Sequence, residues 1–527
     1  MNNQLSKRQL LLPVILGAVL AAGILLGSRL SKPPAGEHNS KISAVLNYIQ
    51  QEYVDTVNNE QLVDISIEKI LEHLDPHSAY IPASEVEAAN EPLEGNFEGI
   101  GIEFHIQQDT ILVVAALAGG PSEALGIQSG DRIIKVDDKN VAGTGITNDK
   151  VFKLLKGKGG TNVKVSILRK GLQQLTNYNI TRGKIPIYSI DAAYMVDNKT
   201  GYIKISRFAE PTVDEFTKSC TDLKKQGMAN MILDLRGNPG GFLNAATELA
   251  DEFLDDKKLI VFTKGKSRPK TSYFADKVGL FEKGKVVVLI DEGSASASEI
   301  LSGALQDWDR ATIIGRRSFG KGLVQEQTTF PDGSAMRLTI ARYYTPTGRC
   351  IQKSYANGFD AYNDELMARY KHGEFISADS VHVVDSISFT TPGGKKVYGG
   401  GGIMPDIFVP VDTTYDSDFL SAVLVAGLPN QFCYDYVDHN RSELKKYNSA
   451  KEFDSHCNSD FLLKDFVEFA TSKNIKSDQA SINRSSLAIK TQLKALIARM
   501  IWKNEGMYPI LHQIDPAFKK AMQVINN

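Results

Sequence analysis

The serines Ser294, Ser296 and Ser298 and the lysine Lys321 stand in surroundings that suit nucleophilic chemistry. Ser296 lies in Asp291-Glu292-Gly293-Ser294-Ala295-Ser296-Ala297-Ser298-Glu299-Ile300, directly after the unbroken apolar run Val286 to Ile290. Such a run reads as a buried strand, and the spacing of Ile300, Leu301, Ala304 and Leu305 reads as a helix. A strand that turns into a helix through small residues presents its turn to solvent at the positive end of the helix dipole. A second strand, Ala311 to Ile314, runs into Gly315-Arg316-Arg317-Ser318-Phe319-Gly320-Lys321-Gly322. Glycines on both sides of Lys321 let backbone pack around the ammonium, and desolvation lowers a lysine's pKa.

A nucleophilic serine needs a base. The chain has 9 histidines, and none lies between His105 and His372. A histidine base within this stretch is therefore excluded, and a distant one would have to fold in. A lysine of lowered pKa is the known substitute. From pattern alone a plainer reading stays open: Ser294, Ser296 and Ser298 cap a helix, and Lys321 is a surface charge on a glycine turn. Gly315 to Lys321 also fits the start of a phosphate-binding loop, but Gly322 stands where Ser or Thr would hold magnesium. The strand-like run from Leu323 to Phe330 offers no helix N-terminus to a phosphate, and nucleotide binding is set aside.

Gly-Ser-Ala-Ser-Ala-Ser-Glu-Ile from Gly293, Ala-Leu-Gln-Asp ending at Asp307, and Ser-Phe-Gly-Lys-Gly-Leu-Val-Gln ending at Gln325 together resemble the carboxyl-terminal processing (tail-specific) protease family of serine and lysine peptidases. The resemblance implies Ser296 as nucleophile, Lys321 as base, Gln325 as the residue that orients the lysine, and Asp307 as structural support. It also implies an oxyanion hole formed by the amide of Ala297 with one of Gly240 and Gly241, which rank equally. No metal and no cofactor are called for.

The elements that must position these residues extend upstream and downstream. Thr200 to Ser206 alternates as a strand, a helix is predicted over Val213 to Gln226, and Met231 to Leu235 is a buried strand running into Gly237-Asn238-Pro239-Gly240-Gly241. Another helix is predicted from Asn244 to Leu254. This alternation argues for βαβ units on a mixed, largely parallel sheet, and the resemblance makes residues 172–412 a ClpP/crotonase-like α/β protease core. Pro331-Asp332-Gly333 is a hairpin turn before a long strand, Met336 to Tyr344. Lys353 to Thr390 is polar, resembles the family least, and is expected to be an insertion covering the site or a lid.

Within residues 91–171, Gly99-Ile100-Gly101-Ile102-Glu103-Phe104 and Gly126-Ile127-Gln128-Ser129-Gly130-Asp131-Arg132-Ile133 resemble an inserted, β-rich PDZ domain. Gly99, Ile100, Gly101 and Ile102 would supply the loop and strand edge that take a carboxyl terminus, with a helix over Asn148 to Leu155 across the groove. Arg169 is a candidate link between peptide docking and the protease; an exposed arginine without a partner is the plainer alternative. Leu74-Asp75-Pro76-His77-Ser78-Ala79-Tyr80 resembles the family too, and His77 is read there as a turn residue within an N-terminal helical region, 37–90.

A chain of 527 residues with a formal net charge of −2 has no polyanion-binding signature, and nucleic acid is not an expected partner. Leu10 to Leu26 carry no charged side chain and follow Lys7 and Arg8. Such a stretch is at the short end of what spans a bilayer, and the basic pair holds the amino terminus in the cytoplasm. Within residues 1–36 an uncleaved inner-membrane anchor is favoured over a cleaved signal peptide, because Leu25-Leu26-Gly27-Ser28-Arg29 lacks a small-x-small cleavage site. Either segment puts the bulk of the chain on the periplasmic side. Cys220, Cys350, Cys433 and Cys457 are too scattered for a disulfide framework or a metal site; Cys433 and Cys457 either pair in an exported tail or remain thiols. Residues 413–527 are predicted helical, and the face formed by Ile489, Leu493, Leu496, Ile497, Met500 and Ile501 fits a small domain or a homo-oligomer contact equally. The expectation is an exported, membrane-anchored serine endopeptidase that cleaves near the carboxyl termini of protein substrates. The alternative is a non-catalytic PDZ-based peptide-binding scaffold, and retention of Ser296 and Lys321 argues against it.

Overall fold

The computed structural model describes residues 19, 39–381, 388–476 and 478–527. Apart from Val19, the expected anchor lies outside the described residues, among which no helix is long and apolar enough to cross a membrane. The chain divides into two units, Met1–Leu74 and Asp75–Asn527. The first carries α1 (Asn39–Glu52) and α2 (Asn59–Glu72). Asn58 caps α2 by accepting the amides of Glu60 and Gln61, donors the helix cannot satisfy itself.

The second unit opens with β1 (Ala79–Ile81) and α3 (Val86–Glu94), then builds a β-rich body from β2 (Asn96–Gly99), β3 (Ile102–Gln107), β4 (Thr110–Ala116), α4 (Pro121–Ala124), β5 (Arg132–Val136), β6 (Lys139–Asn140), α5 (Asn148–Leu155), β7 (Asn162–Leu168), β8 (Thr176–Thr181) and β9 (Gly183–Pro186). Its sheet has the order β3-β4-β5-β7-β8, and β2 pairs with β9 as the ribbon by which the chain enters and leaves. This body therefore runs past residue 171, where the sequence suggested its end. The Thr176–Thr181 strand was hard to read because only Ile180 of its residues is fully buried. Nor is 37–90 all helical region, since β1 pairs with a strand of the following core.

That core holds β10 (Ile190–Met195), β11 (Thr200–Ile205), α6 (Thr212–Lys225), β12 (Asn230–Asp234), α7 (Leu243–Asp251), β13 (Leu259–Lys264), β14 (Thr271–Phe274), β15 (Val286–Ile290), α8 (Ala297–Asp307), β16 (Thr312–Gly315), β17 (Leu323–Thr329), β18 (Ala335–Tyr344), α9 (Phe359–Lys371), β19 (Ser388–Thr390), β20 (Lys396–Tyr398) and β21 (Ile407–Phe408). The central sheet has the order β10-β11-β12-β15-β16-β21. β10 is antiparallel to β11, and every other neighbouring pair is parallel. Each crossover helix needs an apolar surface to cover, which explains why β15 is Val-Val-Val-Leu-Ile, buried on both faces. α6, α7 and α8 cover one face through Phe216, Leu249 and Leu301. A second sheet, β1-β18-β13-β14 with β17 also on β18, stands beside it.

The remaining helices are α10 (Asp418–Val425), α11 (Leu428–Leu444), α12 (Ala450–His456), α13 (Ser459–Ser472), α14 (Gln479–Leu511) and α15 (Pro516–Asn526). α10 to α14 enclose a separate apolar cluster around Phe432, Phe466 and Leu493, so the amphipathic face of α14 is buried within the chain. α15 does something else: Phe518, Ala521 and Ile525 pack on Tyr202, Val287 and Ile314, closing the second face of the central sheet. None of the four cysteines forms a disulfide. Cys433 and Cys457 do not pair; the Cys433 thiol lies in the helical cluster and donates to Leu493 O at 3.6 Å.

Candidate active site

β12 and β15 end side by side, and small polar groups lace their ends together. Asp291 Oδ1 accepts the amides of Gly237 and Gly293 at 2.8 and 3.0 Å. Ser294 Oγ donates to Leu235 O at 2.9 Å, and Ser298 Oγ donates to Asn238 O at 3.0 Å. Both flanking serines are thus committed to structure, while Ser296 lines the cleft. Ser296 sits at φ 54° and ψ −111°, at the N-cap of α8. A non-glycine residue held at positive φ stores about 1–3 kcal/mol of strain, which the fixed surroundings must offset.

The fixing is done by Glu299, one turn into α8 and fully buried. Its Oε2 accepts the amides of Ser296 at 2.8 Å and Lys321 at 2.9 Å, and its Oε1 accepts Ser318 Oγ at 2.5 Å and Gly320 N at 2.7 Å. One carboxylate therefore ties the serine turn to the lysine loop. Burial raises the Glu299 pKa, and those four donors pull against the rise. The Tyr343 hydroxyl adds a second tie, 2.6 Å from Lys321 O and 3.1 Å from Ser296 O.

Lys321 lies in the same cleft as Ser296, a cavity of about 560 Å³ that Gly240, Gly241, Gln325 and Arg337 also line. Burial lowers the Lys321 pKa below its ordinary 10.5, and the nearby charge of Arg337 lowers it further. Its ammonium donates to Gln325 Oε1 at 3.2 Å, and Gln325 Nε2 in turn donates to the carbonyl of His77. A distant histidine does fold in here. Its ring Nε2 bonds the Tyr362 hydroxyl at 2.7 Å, and burial, with Lys321 nearby, lowers its pKa to about 4.

Gly240 and Gly241, ranked equally from sequence, differ in the structure. The Gly240 amide already donates to Asn238 Oδ1 at 2.9 Å. Among the described residues no acceptor pairs with the amides of Gly241 or Ala297. Gly240 must nonetheless be glycine: it has φ +97°, and a Cβ would lie 2.8 Å from Ala297 N and 2.8 Å from Ser296 Cβ. Asp307 is buried with Arg349, whose Nη2 reaches Oδ1 at 2.7 Å, and it supports the loop at Thr347.

Gly99, Ile100, Gly101 and Ile102 line a second cavity, of about 240 Å³, with Phe152 of α5 across it. Arg169 is not brought to the cleft: its Nε and Nη2 each bond Asp131 at 2.7 Å, and Nη2 also reaches Gly126 O at 2.9 Å. The arginine thus has a partner, inside the same body. Sequence reasoning missed Glu299, although Ser296 and Glu299 have the spacing of a capping box, which would have found it. Tyr343 and Arg337, embedded in a strand, carried no such signal.

A family model described as Peptidase family S41 matches residues 199–359, a PDZ domain model matches 112–169, and a family of unknown function matches 419–503. The carboxy-terminal processing protease CtpA of Bacillus subtilis (strain 168) is 32% identical over 428 residues, covering 79% of this chain and 89% of that protein. A carboxy-terminal-processing protease of Bartonella bacilliformis is 35% identical over 318 residues, covering 59% of this chain and 72% of its own. Among solved structures, a photosystem II D1 C-terminal processing protease aligns with 26% identity and a TM-score of 0.37, over 70% of this chain and 86% of that one.

Proposed function

Because the chain belongs to the carboxy-terminal processing proteases of peptidase family S41, and is thus a serine-type peptidase, we propose that it works by a serine and lysine acyl-enzyme mechanism on a ClpP/crotonase-like core. The observation that carries this reading is the half-buried Lys321, its ammonium disfavoured, in one cleft with a strained Ser296. Neutral Lys321 takes the Ser296 proton as Oγ attacks the scissile carbonyl. The oxyanion that forms faces the unpaired amides of Ala297 and Gly241. Lys321 then gives its proton to the departing amine, and a water, deprotonated by the same lysine, releases the acyl group. Gln325, held through His77 O, keeps the lysine's nitrogen on the cleft side.

The groove at Gly99 to Ile102 would take the substrate's carboxyl terminus, with the outer edge of β3 free to add a strand. Lys7 and Arg8 followed by the apolar stretch 10–26 support an uncleaved anchor and a periplasmic location for the rest. The full chain in detergent, given an unfolded substrate with a free apolar carboxyl terminus, tests the mechanism. Ser296→Ala and Lys321→Ala should each lose at least about a thousandfold in kcat, with or without chelator. Cleavage surviving in Lys321→Ala would sink the lysine as base.

A further inference from the structure

A third cavity, of about 330 Å³, lies beside the cleft, and Leu323 lines both. Its charged side chains are Lys264, Lys266 and Arg342, and among the described residues no carboxylate lines it. The arrangement works against stability. Lys264 and Arg342 are direct partners across the antiparallel β13–β18 pair, and like charges placed opposite each other destabilise a sheet. On a chain whose net charge is −2, a carboxylate at either position would have relieved this.

Arg342 is also held in place. Phe262 and Tyr344, the preceding pair on the same face, stack at 4.8 Å and 7°. Arg342 Nη2 donates to Tyr355 OH at 2.9 Å, and among the described residues no carboxylate pairs with the guanidinium. Between the two lysines, Gly265 lies so close to β18 that a Cβ would come within 2.1 Å of Ile340 O. The hairpin therefore cannot lift without losing its seat. Glu326, on the β17 strand that pairs with β18, is taken by Arg268 at 2.6 Å.

We propose that this cavity is a substrate subsite for a carboxylate: an acidic side chain, or the terminal carboxylate, of the peptide segment that leaves the cleft over Leu323. The inference rests on the proteolytic reading, and binding and cleavage are therefore measured separately. Labelled peptides alike except for an Asp-Asp, Asn-Asn or Lys-Lys pair, each with a free or amidated terminus, are titrated into full-length Ser296→Ala and cleaved by wild type. Lys264→Glu/Lys266→Glu should cut the Asp-Asp over Asn-Asn ratio, in affinity and in kcat/KM, by about tenfold, two weak surface attractions having become repulsions. The Lys-Lys peptide should gain.

Lys264→Gln/Lys266→Gln, which disturbs the fold less, should give part of the same loss. A loss confined to free-terminus peptides assigns the carboxylate to the chain end, and a loss indifferent to amidation assigns it to the side chain; both support the subsite. Both the Asp-Asp over Asn-Asn ratio and the free over amidated ratio unmoved in either variant would overturn it, even if every peptide is cleaved. Charge-dependent binding with no cleavage by wild type would leave the subsite standing and remove the proteolytic reading.

Discussion

Lys321 and Glu299 are both withdrawn from water, and each depends on its neighbours for its charge state. Burial disfavours the Lys321 ammonium first, and the positive Arg337 disfavours it second. Replacing Arg337 with Gln removes that repulsion, so the protonated form gains and the Lys321 pKa rises. The rise of kcat with pH should then move to higher pH while the alkaline plateau is kept, as a pH profile would show; an unmoved midpoint would mean that Lys321 is not the group titrating. His77, held near 4, gives an independent control. A histidine base would put the acid limb near that value and make His77→Ala inactive, whereas a lysine base leaves most activity in this variant, because the carbonyl serves Gln325. Glu299→Gln turns an amide NH2 toward two donors. It should cost about 2–4 kcal/mol in urea unfolding and lower kcat, since the serine turn and lysine loop lose their common anchor.

α9 illustrates what an element does for residues it does not contain. Glu374, just beyond its end, receives Arg317 Nε at 2.6 Å and Nη2 at 2.9 Å, and Arg369 Nε at 2.9 Å. Arg369 also donates to the carbonyls of Ser318 and Arg317 at 3.1 and 2.8 Å. This buried clamp fixes the loop that ends in Lys321. Glu374→Gln leaves two buried guanidiniums with only Glu365, 3.2 Å from Arg317, as counter-charge and should cost about 3–5 kcal/mol. Adding Arg369→Met should cost far less than it does alone, the non-additivity of one network, measurable in a double-mutant cycle of urea melts. The same clamp explains why Lys353 to Thr390 was opaque in the sequence: its charges looked like surface because part of what they bind, Arg317 and the Ser318 carbonyl, lies far away in the chain. β15 was legible for the opposite reason, since five apolar residues in a row have one plausible place to go. Ser296, Lys321 and Gln325 were readable from local motifs, while Tyr343 and Arg337 acquire their roles only when β18 is laid against β17.

At the scale of the whole molecule, the charged, helical sequence after residue 413 gave no sign that it serves two different bodies. α14 reaches the β-rich body, where Arg499 Nη2 lies 3.1 Å from both oxygens of Glu103 on β3. Its neighbour Phe104 lines the cavity at Gly99 to Ile102. α15, by contrast, is part of the protease. Arg236, which follows β12, pairs with Asp234 at 2.6 Å and with Asp515 at the start of α15 at 2.8 Å. Phe518 and Ile525 cover the sheet face that α6 to α8 leave bare. No pattern within residues 516–526 could reveal this, because the surface they complete was made more than two hundred residues earlier. Phe518→Ala should therefore destabilise the peptidase by about 3–5 kcal/mol, with activity and the main unfolding transition lost together on heating. Phe461→Ala, on α13 and 58% exposed, should change stability by less than about 0.5 kcal/mol. If Phe518→Ala instead melted the tail while peptidase activity persisted to the wild-type temperature, α15 would be an appendage and the sheet's second face would need another cover.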